Sequence, residues 1–120
     1  MKQMPMISVI VPVMNERETI NDVFQQLDDV FEKWERPYEL IFVDDGSTDG
    51  TTELLDTFPD KNPNVRIVHF ARNFGQQLAL SAGFDHAEGD ICVIIDADLQ
   101  NDPSDIPKLV DAIDSGYDVV

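Results

Sequence analysis

The stretch Ile91–Asp102, which reads Ile-Cys-Val-Ile-Ile-Asp-Ala-Asp-Leu-Gln-Asn-Asp, decides how the rest of the chain is interpreted. It opens with five apolar residues, most of them β-branched, and such a run is typical of a strand buried on both faces. Acidic residues follow directly, at Asp96, Asp98 and Asp102. Open α/β sheets bind their ligands at the carboxyl ends of the strands. The stretch therefore predicts a buried strand with a ligand site at its end.

Asp96 and Asp98 are two residues apart, so in a strand their side chains would point the same way. Two carboxylates on one side repel each other unless a cation lies between them, and hard oxygen ligands suit Mg²⁺ or Mn²⁺. The sequence thus predicts a divalent-cation site at these two residues. The alternative is that both carboxylates are solvated residues of a strand-to-helix turn.

Composition limits the classes of function. The 120 residues suffice for one domain with a single core, and 42% of them are hydrophobic, which is ordinary for a globular chain. The net charge is −16, with 8 Lys and Arg against 24 Asp and Glu. This balance excludes nucleic-acid binding through a basic surface, whereas an anionic ligand remains possible if a cation neutralises its phosphates.

The single cysteine, Cys92, lies inside the apolar run, so an internal disulfide is excluded and a buried structural thiol is expected. The chain shows neither a signal peptide nor a membrane-spanning pattern, and we expect a soluble, cytoplasmic domain.

Strand and helix patterns alternate four times along the chain. Apolar runs predict strands at Ile7–Val11, Tyr38–Val43, Val65–Phe70 and 91–95. Apolar residues at helical spacing follow each of them, and the first helix is expected to begin at a capping residue, Asn15. The alternation predicts an α/β fold, with an open, mostly parallel sheet and helices on both faces. A further strand starting at Tyr117 suggests that the fold is truncated at its C-terminus.

The loops after parallel strands meet at one edge of the sheet, which predicts a single crevice. These loops are Pro12–Glu16, Asp44–Gly50, Arg72–Gly75 and Asp96–Asp102. Three of the four are acidic, so the crevice is expected to attract a cation. The acidic turn after the second strand could accept hydrogen bonds from a nucleobase or a ribose, or could cap the next helix. Arg72 could contact a phosphate or carboxylate, or pair with a neighbouring acid. Neither a G-x-G-x-x-G after the first strand nor a P-loop occurs in the sequence.

Several motifs in these loops resemble those of family 2 glycosyltransferases of GT-A fold. They are Val9–Pro12 with Asn15 and Glu16, Val43–Thr51, and Asp96–Gln100. Within the family, three further segments look most like the polyprenyl-phosphate glycosyltransferases, which include the dolichol-phosphate mannose synthases and the undecaprenyl-phosphate sugar transferases. These segments are Arg72–Gln76, Ala82–Phe84 and Asp98–Pro103.

The resemblance implies that residues 1–120 form the nucleotide-sugar-binding part of such a domain. Nucleotide contacts are then expected at Pro12, Glu16, Asp44, Asp45 and Arg72, with Asp45 at the base. The catalytic acids are expected to be Asp96 and Asp98, and the ligands of Mg²⁺ or Mn²⁺ to be Asp96, Asp98 and Gln100. Asp102 is then better interpreted as the cap of the helix that starts at Pro103.

The expected reaction is metal-dependent transfer of a sugar from a nucleotide-diphospho-sugar to a polyprenyl phosphate. It would take place at the cytoplasmic face of the membrane, with membrane contact through segments outside this chain. One alternative keeps the family but uses a sugar hydroxyl as the acceptor. A second alternative is an aspartate-phosphorylating phosphatase or receiver domain, with Asp96 as the phosphorylated residue.

Overall fold

The structure, a computed structural model, describes residues 5–98 and 103–114, with side chains up to residue 111. Its elements are β1 (Ile7–Val13), α1 (Ile20–Trp34), β2 (Tyr38–Asp44), α2 (Thr51–Leu55), α3 (Phe58–Lys61), β3 (Val65–His69), α4 (Gln76–His86), β4 (Ile91–Ile94), a 3₁₀ turn (Pro103–Asp105) and α5 (Ile106–Asp114). The helix predicted after β2 is thus two short helices. The strand predicted from Tyr117 lies outside the described residues.

The four strands form one parallel sheet in the order β3-β2-β1-β4. Ile10 at the centre of β1 pairs with Ile41 of β2 and Ile94 of β4. Because the strands are parallel and joined by helical crossovers, their carboxyl ends all lie on the same side of the sheet. The predicted α/β class and the predicted parallel sheet are confirmed.

The main core lies between the sheet and the layer that contains α1, α2, α3 and α5. The apolar stripe of α1 supplies Phe24 and Leu27, which pack with Phe42 of β2. Phe24 stacks on Phe58 of α3 with 4.2 Å between ring centroids, and Phe42 meets Phe58 edge-on. Aromatic side chains bury large areas, so this cluster holds the helical layer against the sheet.

The other face of the sheet carries α4, which packs on β1 and β2. A small-residue face makes close contact possible, since a Cβ at Gly83 would lie 2.5 Å from Ile10 Cγ2. Ala79 is fully buried on the same helix face. Helices therefore cover both faces, as predicted.

The prediction for β4 is wrong in one respect. Val93 and Ile95 are buried, but Cys92 and Ile94 are exposed, so the strand is covered on one face rather than two. The physical reason is that β4 is the last strand of the described sheet and α4 packs over β1 and β2. Cys92 is thus not the buried thiol expected. Desolvation and the charge of Glu39 raise its pKa, which makes it a poor nucleophile.

The first helix also begins later than predicted. Its N-cap is Thr19, and Asn15 instead adopts a left-handed conformation with φ of 54° in the preceding loop. No helix among the described residues is long and apolar enough to cross a membrane.

Candidate functional site

A cavity of about 350 Å³ opens at the carboxyl edge of the sheet. It lies beside the switch point of the topology, because β2 and β3 extend the sheet on one side of β1 and β4 extends it on the other. The described residues that line it are Pro12, Val13, Met14, Glu16, Asp45, Gln76, Asp96, Ala97 and Asp98. One cavity is therefore lined by the loops after β1, β2 and β4 and by Gln76, the first residue of α4. The predicted convergence at the sheet edge is confirmed for these three loops, whereas residues 72–75 after β3 do not line the cavity.

Four of the lining side chains are carboxylates, at Glu16, Asp45, Asp96 and Asp98. All four were predicted from the sequence as site residues, together with Pro12. They face the same cavity in a protein whose net charge is −16, so its field favours cations and disfavours a bare polyphosphate.

The donor set at one wall fits a hard divalent cation. Asp96 and Asp98 both line the cavity directly after β4. Within residues 5–98 and 103–111, no group of three or more His, Cys, Asp or Glu side chains is arranged to hold a metal ion by itself. Mg²⁺ usually takes only one or two carboxylates together with the phosphates of a substrate, so a pair of acids suits a metal that arrives with a diphosphate. The predicted ligand Gln100 and the predicted cap Asp102 lie outside the described residues.

Asp44 does not line the cavity. Its side chain is buried, and its carboxylate accepts hydrogen bonds from the Ser47 backbone N–H at 3.0 Å and from the Thr52 hydroxyl. Burial alone would raise its pKa, but the hydrogen bonds from Thr52, Ser47 and His69 outweigh it and the pKa is lowered. This carboxylate therefore stays ionised and shapes the turn after β2.

His69 lies between two carboxylates. Its Nδ1 is 3.2 Å from Asp44 Oδ2, and its Nε2 is 2.7 Å from Asp56 Oδ1. A neutral imidazole donates from one nitrogen only, whereas the imidazolium donates from both. Burial alone would lower the His69 pKa, but the hydrogen bonds and charges of Asp56 and Asp44 outweigh it and the pKa is raised. His69 thus joins the end of β3 to the end of β2 and to the C-cap of α2.

This arrangement makes stability depend on pH. Because the His69 pKa is raised above its ordinary value of 6.5, its contribution is complete below about pH 6.5 and is lost as the pH rises through the folded-state pKa. We expect the free energy of unfolding to fall above that pH by up to about 1 kcal/mol, since His69 is partly exposed. His69→Gln should remove this dependence, as measured by urea denaturation at a series of pH values from 5.5 to 8.5, roughly spanning the ordinary histidine pKa.

The control is His86→Gln, because the ring of His86 contacts a backbone carbonyl, that of Ala82, and not a carboxylate. This variant should keep the pH dependence of the wild type. If His69→Gln keeps it as well, His69 is not the group responsible.

Asp45 lines the cavity and also holds the neighbouring loop. Its Oδ1 accepts the Phe74 N–H at 2.7 Å and its Oδ2 accepts the Gly75 N–H at 3.0 Å. Gly46 permits this contact, because a Cβ there would lie 2.4 Å from the Arg72 carbonyl carbon. The side chain of Asp45 thus joins the loop after β2 to the backbone of the loop after β3, directly ahead of α4.

Arg72 is not among the residues that line the cavity. It is exposed, and its guanidinium carbon lies 4.8 Å from the centroid of the Phe74 ring, which is a cation–π contact. The expected phosphate contact of Arg72 therefore remains a prediction.

Two residues that sequence analysis did not assign to the site hold its loops together. The Asn15 N–H donates to Ser47 Oγ at 2.9 Å, and Asn15 Oδ1 accepts the Thr48 N–H at 2.7 Å. The Thr19 hydroxyl donates to the Ala97 carbonyl at 2.6 Å. These contacts connect residues far apart in the sequence, so local motifs carried no signal for them.

Gln76 and Met14 also line the cavity, and neither was predicted as a site residue. A signal for Gln76 was available, because it is the first residue of the helix that follows the β3 loop. A helix that starts after a parallel strand places its first turn at the carboxyl edge of the sheet.

The fold and cavity define an α/β domain with an acidic ligand site at the switch point of a parallel sheet. Residues 8–120 match the sequence family described as Glycosyl transferase family 2. The chain therefore belongs to glycosyltransferase family 2, as its motifs had suggested.

Two curated proteins are similar to this chain over most of its length. The uncharacterized glycosyltransferase YkcC of Bacillus subtilis is 43% identical, over 94% of this chain and 35% of the relative. The undecaprenyl-phosphate 4-deoxy-4-formamido-L-arabinose transferase of Edwardsiella ictaluri is 40% identical, over 99% of this chain and 37% of the relative. The chain thus spans about a third of the length of these relatives.

Solved structures agree on the fold. The mannosyltransferase PcManGT of Pyrobaculum calidifontis, in complex with GDP-Man and Mn²⁺, matches with a TM-score of 0.66 and 34% identity over 78% of this chain and 28% of that one. The glucosyl-3-phosphoglycerate synthase of Mycobacterium tuberculosis, in complex with UDP, matches with a TM-score of 0.74 and 30% identity over 94% of this chain and 41% of that one. The fold is of the GT-A type, as expected.

Proposed function

We propose that this chain supplies the donor and metal site of an enzyme that transfers a sugar from a nucleotide-diphospho-sugar to a polyprenyl phosphate. The observation that carries the proposal is the acidic cavity at the switch point, which brings Asp96, Asp98 and Asp45 together in a chain of glycosyltransferase family 2. The diphosphate and the nucleoside of a nucleotide sugar differ in chemistry, and we assign them to different walls of the cavity.

Asp96 and Asp98 form the wall for the diphosphate, where they would hold Mg²⁺ or Mn²⁺ with phosphate oxygens. A cation bound there would stabilise the negative charge that develops on the leaving diphosphate. The match to the Mn²⁺ complex of the Pyrobaculum mannosyltransferase supports a divalent metal. Asp45, Pro12 and Glu16 form the wall for the nucleoside.

The relatives support a polyprenyl-phosphate acceptor. Two transferases named for undecaprenyl phosphate, from Edwardsiella ictaluri and Pseudomonas syringae, are 40% and 38% identical to this chain. In the reaction a phosphate oxygen of the lipid forms a bond to the anomeric carbon, the bond from that carbon to the diphosphate oxygen breaks, and the nucleoside diphosphate leaves. A phosphate acceptor is already ionised at neutral pH, so the site needs no strong general base.

A lipid acceptor also gives the reaction a location. The phosphate of a polyprenyl lipid is at the membrane surface, and nucleotide sugars are cytoplasmic metabolites. We therefore place the reaction at the cytoplasmic face of a membrane, with membrane contact made outside the described residues.

The competing proposal within the family is transfer to a sugar hydroxyl. Such an acceptor is not ionised at neutral pH, so it requires a general base close to the anomeric carbon. The family match gives no support to the aspartate-phosphorylating alternative.

A transfer assay distinguishes the two acceptors. Full-length protein is incubated with Mn²⁺ and a radiolabelled UDP- or GDP-sugar, and with either undecaprenyl phosphate or a soluble oligosaccharide. We expect label in the lipid phase only, with release of one nucleoside diphosphate for each sugar transferred. Label in the oligosaccharide and none in the lipid would overturn the proposed acceptor.

A further inference from the structure

We propose that Gln76 recognises the nucleobase of the donor by donating a hydrogen bond to a carbonyl oxygen of the base. The assignment rests on the proposed function, because it concerns the nucleoside wall of that same cavity. It adds a specificity-determining residue that was not among the site residues predicted from the sequence.

The first observation is the chemistry of the cavity wall. Among the described lining residues, the polar side chains are four carboxylates and Gln76, and the others are apolar. Ionised carboxylates only accept hydrogen bonds, whereas a carboxamide has two N–H donors. Within this described lining, Gln76 is therefore the side chain that can bind a carbonyl oxygen.

The second observation is how Gln76 is placed. It is the first residue of α4 and directly follows Gly75, whose N–H is bound at 3.0 Å by Asp45 Oδ2. The backbone ahead of Gln76 is thus fixed to the carboxylate of Asp45. Within residues 5–98 and 103–111 the Gln76 carboxamide forms no hydrogen bond, and the side chain is exposed.

The third observation concerns the acceptor beside it. The Asp45 carboxylate receives two backbone N–H groups, from Phe74 and Gly75. A carboxylate has about four lone-pair positions, so it can accept a further hydrogen bond from a ligand. Asp45 and Gln76 thus place an acceptor and a donor on the lining of one cavity, and Asp45 is bound to the residue that precedes Gln76.

That pair matches a base edge on which an N–H is flanked by a carbonyl group. Uracil and guanine both carry such an edge, and their N–H would donate to Asp45 while the carbonyl oxygen accepts from Gln76. We therefore infer a nucleoside diphosphate whose base carries this edge, such as UDP or GDP, and not ADP or CDP. The diphosphate would lie away from Gln76, toward Asp96 and Asp98.

The test compares two variants of one helix by titration calorimetry on the full-length protein with Mn²⁺. Gln76→Leu removes the donors at nearly constant size. Gln77→Leu makes the same change one residue further along α4, at an exposed side chain outside the cavity lining. The probes are UDP and GDP, and pyrophosphate serves as a ligand without a base.

We expect Gln76→Leu to weaken the tighter-binding nucleotide roughly tenfold, which corresponds to the loss of one hydrogen bond. Pyrophosphate binding should not change in either variant, and Gln77→Leu should match the wild type with all probes. Gln76→Glu, which replaces the donor group with an acceptor, should weaken the nucleotide further.

Other outcomes separate this inference from the proposal on which it rests. If the wild type binds a nucleotide and Gln76→Leu binds it equally well, the base assignment is overturned and the proposed function stands. The same holds if Gln76→Leu weakens pyrophosphate as much as the nucleotide, because Gln76 then contacts the diphosphate. If the wild type binds neither nucleotide in the presence of Mn²⁺, both proposals fail.

Discussion

Replacing Asp98 with Asn should weaken Mn²⁺-dependent binding of the donor nucleotide by at least roughly 100-fold. The substitution keeps the size of the side chain and removes one of the two carboxylates that line the cavity after β4. Loss of a residue that only supports a metal ligand costs 10–100-fold in metal affinity, so loss of a direct ligand should cost at least as much. Titration calorimetry with and without Mn²⁺ measures the effect.

The change in nucleotide affinity that Asp98→Asn causes without metal distinguishes a cation site from a general effect on binding. In the absence of Mn²⁺, Asp98 repels the phosphates of the nucleotide, so Asp98→Asn should bind it no more weakly than the wild type. The control is Asp85→Asn, which removes the same charge from an exposed position on α4, outside the cavity lining. If Asp98→Asn and Asp85→Asn bind the nucleotide equally with Mn²⁺, Asp98 does not hold the metal.

Replacing Gly46 with Ala should destabilise the protein by about 3 kcal/mol. The glycine has φ of 76°, and its Cβ would lie 2.4 Å from the Arg72 carbonyl carbon and 2.5 Å from the Asn73 nitrogen. The left-handed conformation costs an alanine about 1–2 kcal/mol, and overlap with backbone atoms adds about 1–3 kcal/mol because they cannot rotate away. Urea denaturation measures the change in the free energy of unfolding.

Gly50→Ala is the matched control for Gly46→Ala. Gly50 also has a positive φ, of 99°, but the nearest atom to its Cβ would be Arg17 Cδ at 3.5 Å. Only the conformational cost applies there, so a loss of about 1 kcal/mol is expected. Because Gly46 lies where the β2 loop meets the segment held by Asp45, Gly46→Ala should also weaken nucleotide binding. Equal stability of the two variants would show that the two loops are not packed as closely as the structure indicates.

The sequence predicted the fold well because the fold depends on regular patterns. The alternation of apolar runs and helical stripes gave all four described strands and their parallel arrangement. It also gave the edge at which their loops meet, and with it the lining residues Glu16, Asp45, Asp96 and Asp98. Each of these acids lies within four residues of the end of a strand, so its position along the chain was sufficient to place it.

The wrong predictions concern side chains whose positions depend on the folded structure and not on local sequence patterns. Asn15 was predicted to cap α1, but it binds the turn after β2. Asp44 and Asp45 were both predicted to contact the nucleotide, but Asp44 ends β2 with its carboxylate held by Ser47, Thr52 and His69. Of the two, only Asp45 lines the cavity. Cys92 was expected to be buried because its run is apolar, and its exposure depends on where α4 crosses the sheet.

The central claim is that the acidic cavity binds a nucleoside diphosphate together with a divalent cation. Titration of UDP and GDP into the full-length protein, with Mn²⁺ and with EDTA, tests it most directly. The account predicts saturable binding of one nucleotide per protein in Mn²⁺ and none detectable in EDTA, because four carboxylates repel an uncompensated diphosphate. Binding of equal strength in EDTA, or no binding of either nucleotide in Mn²⁺, would contradict it.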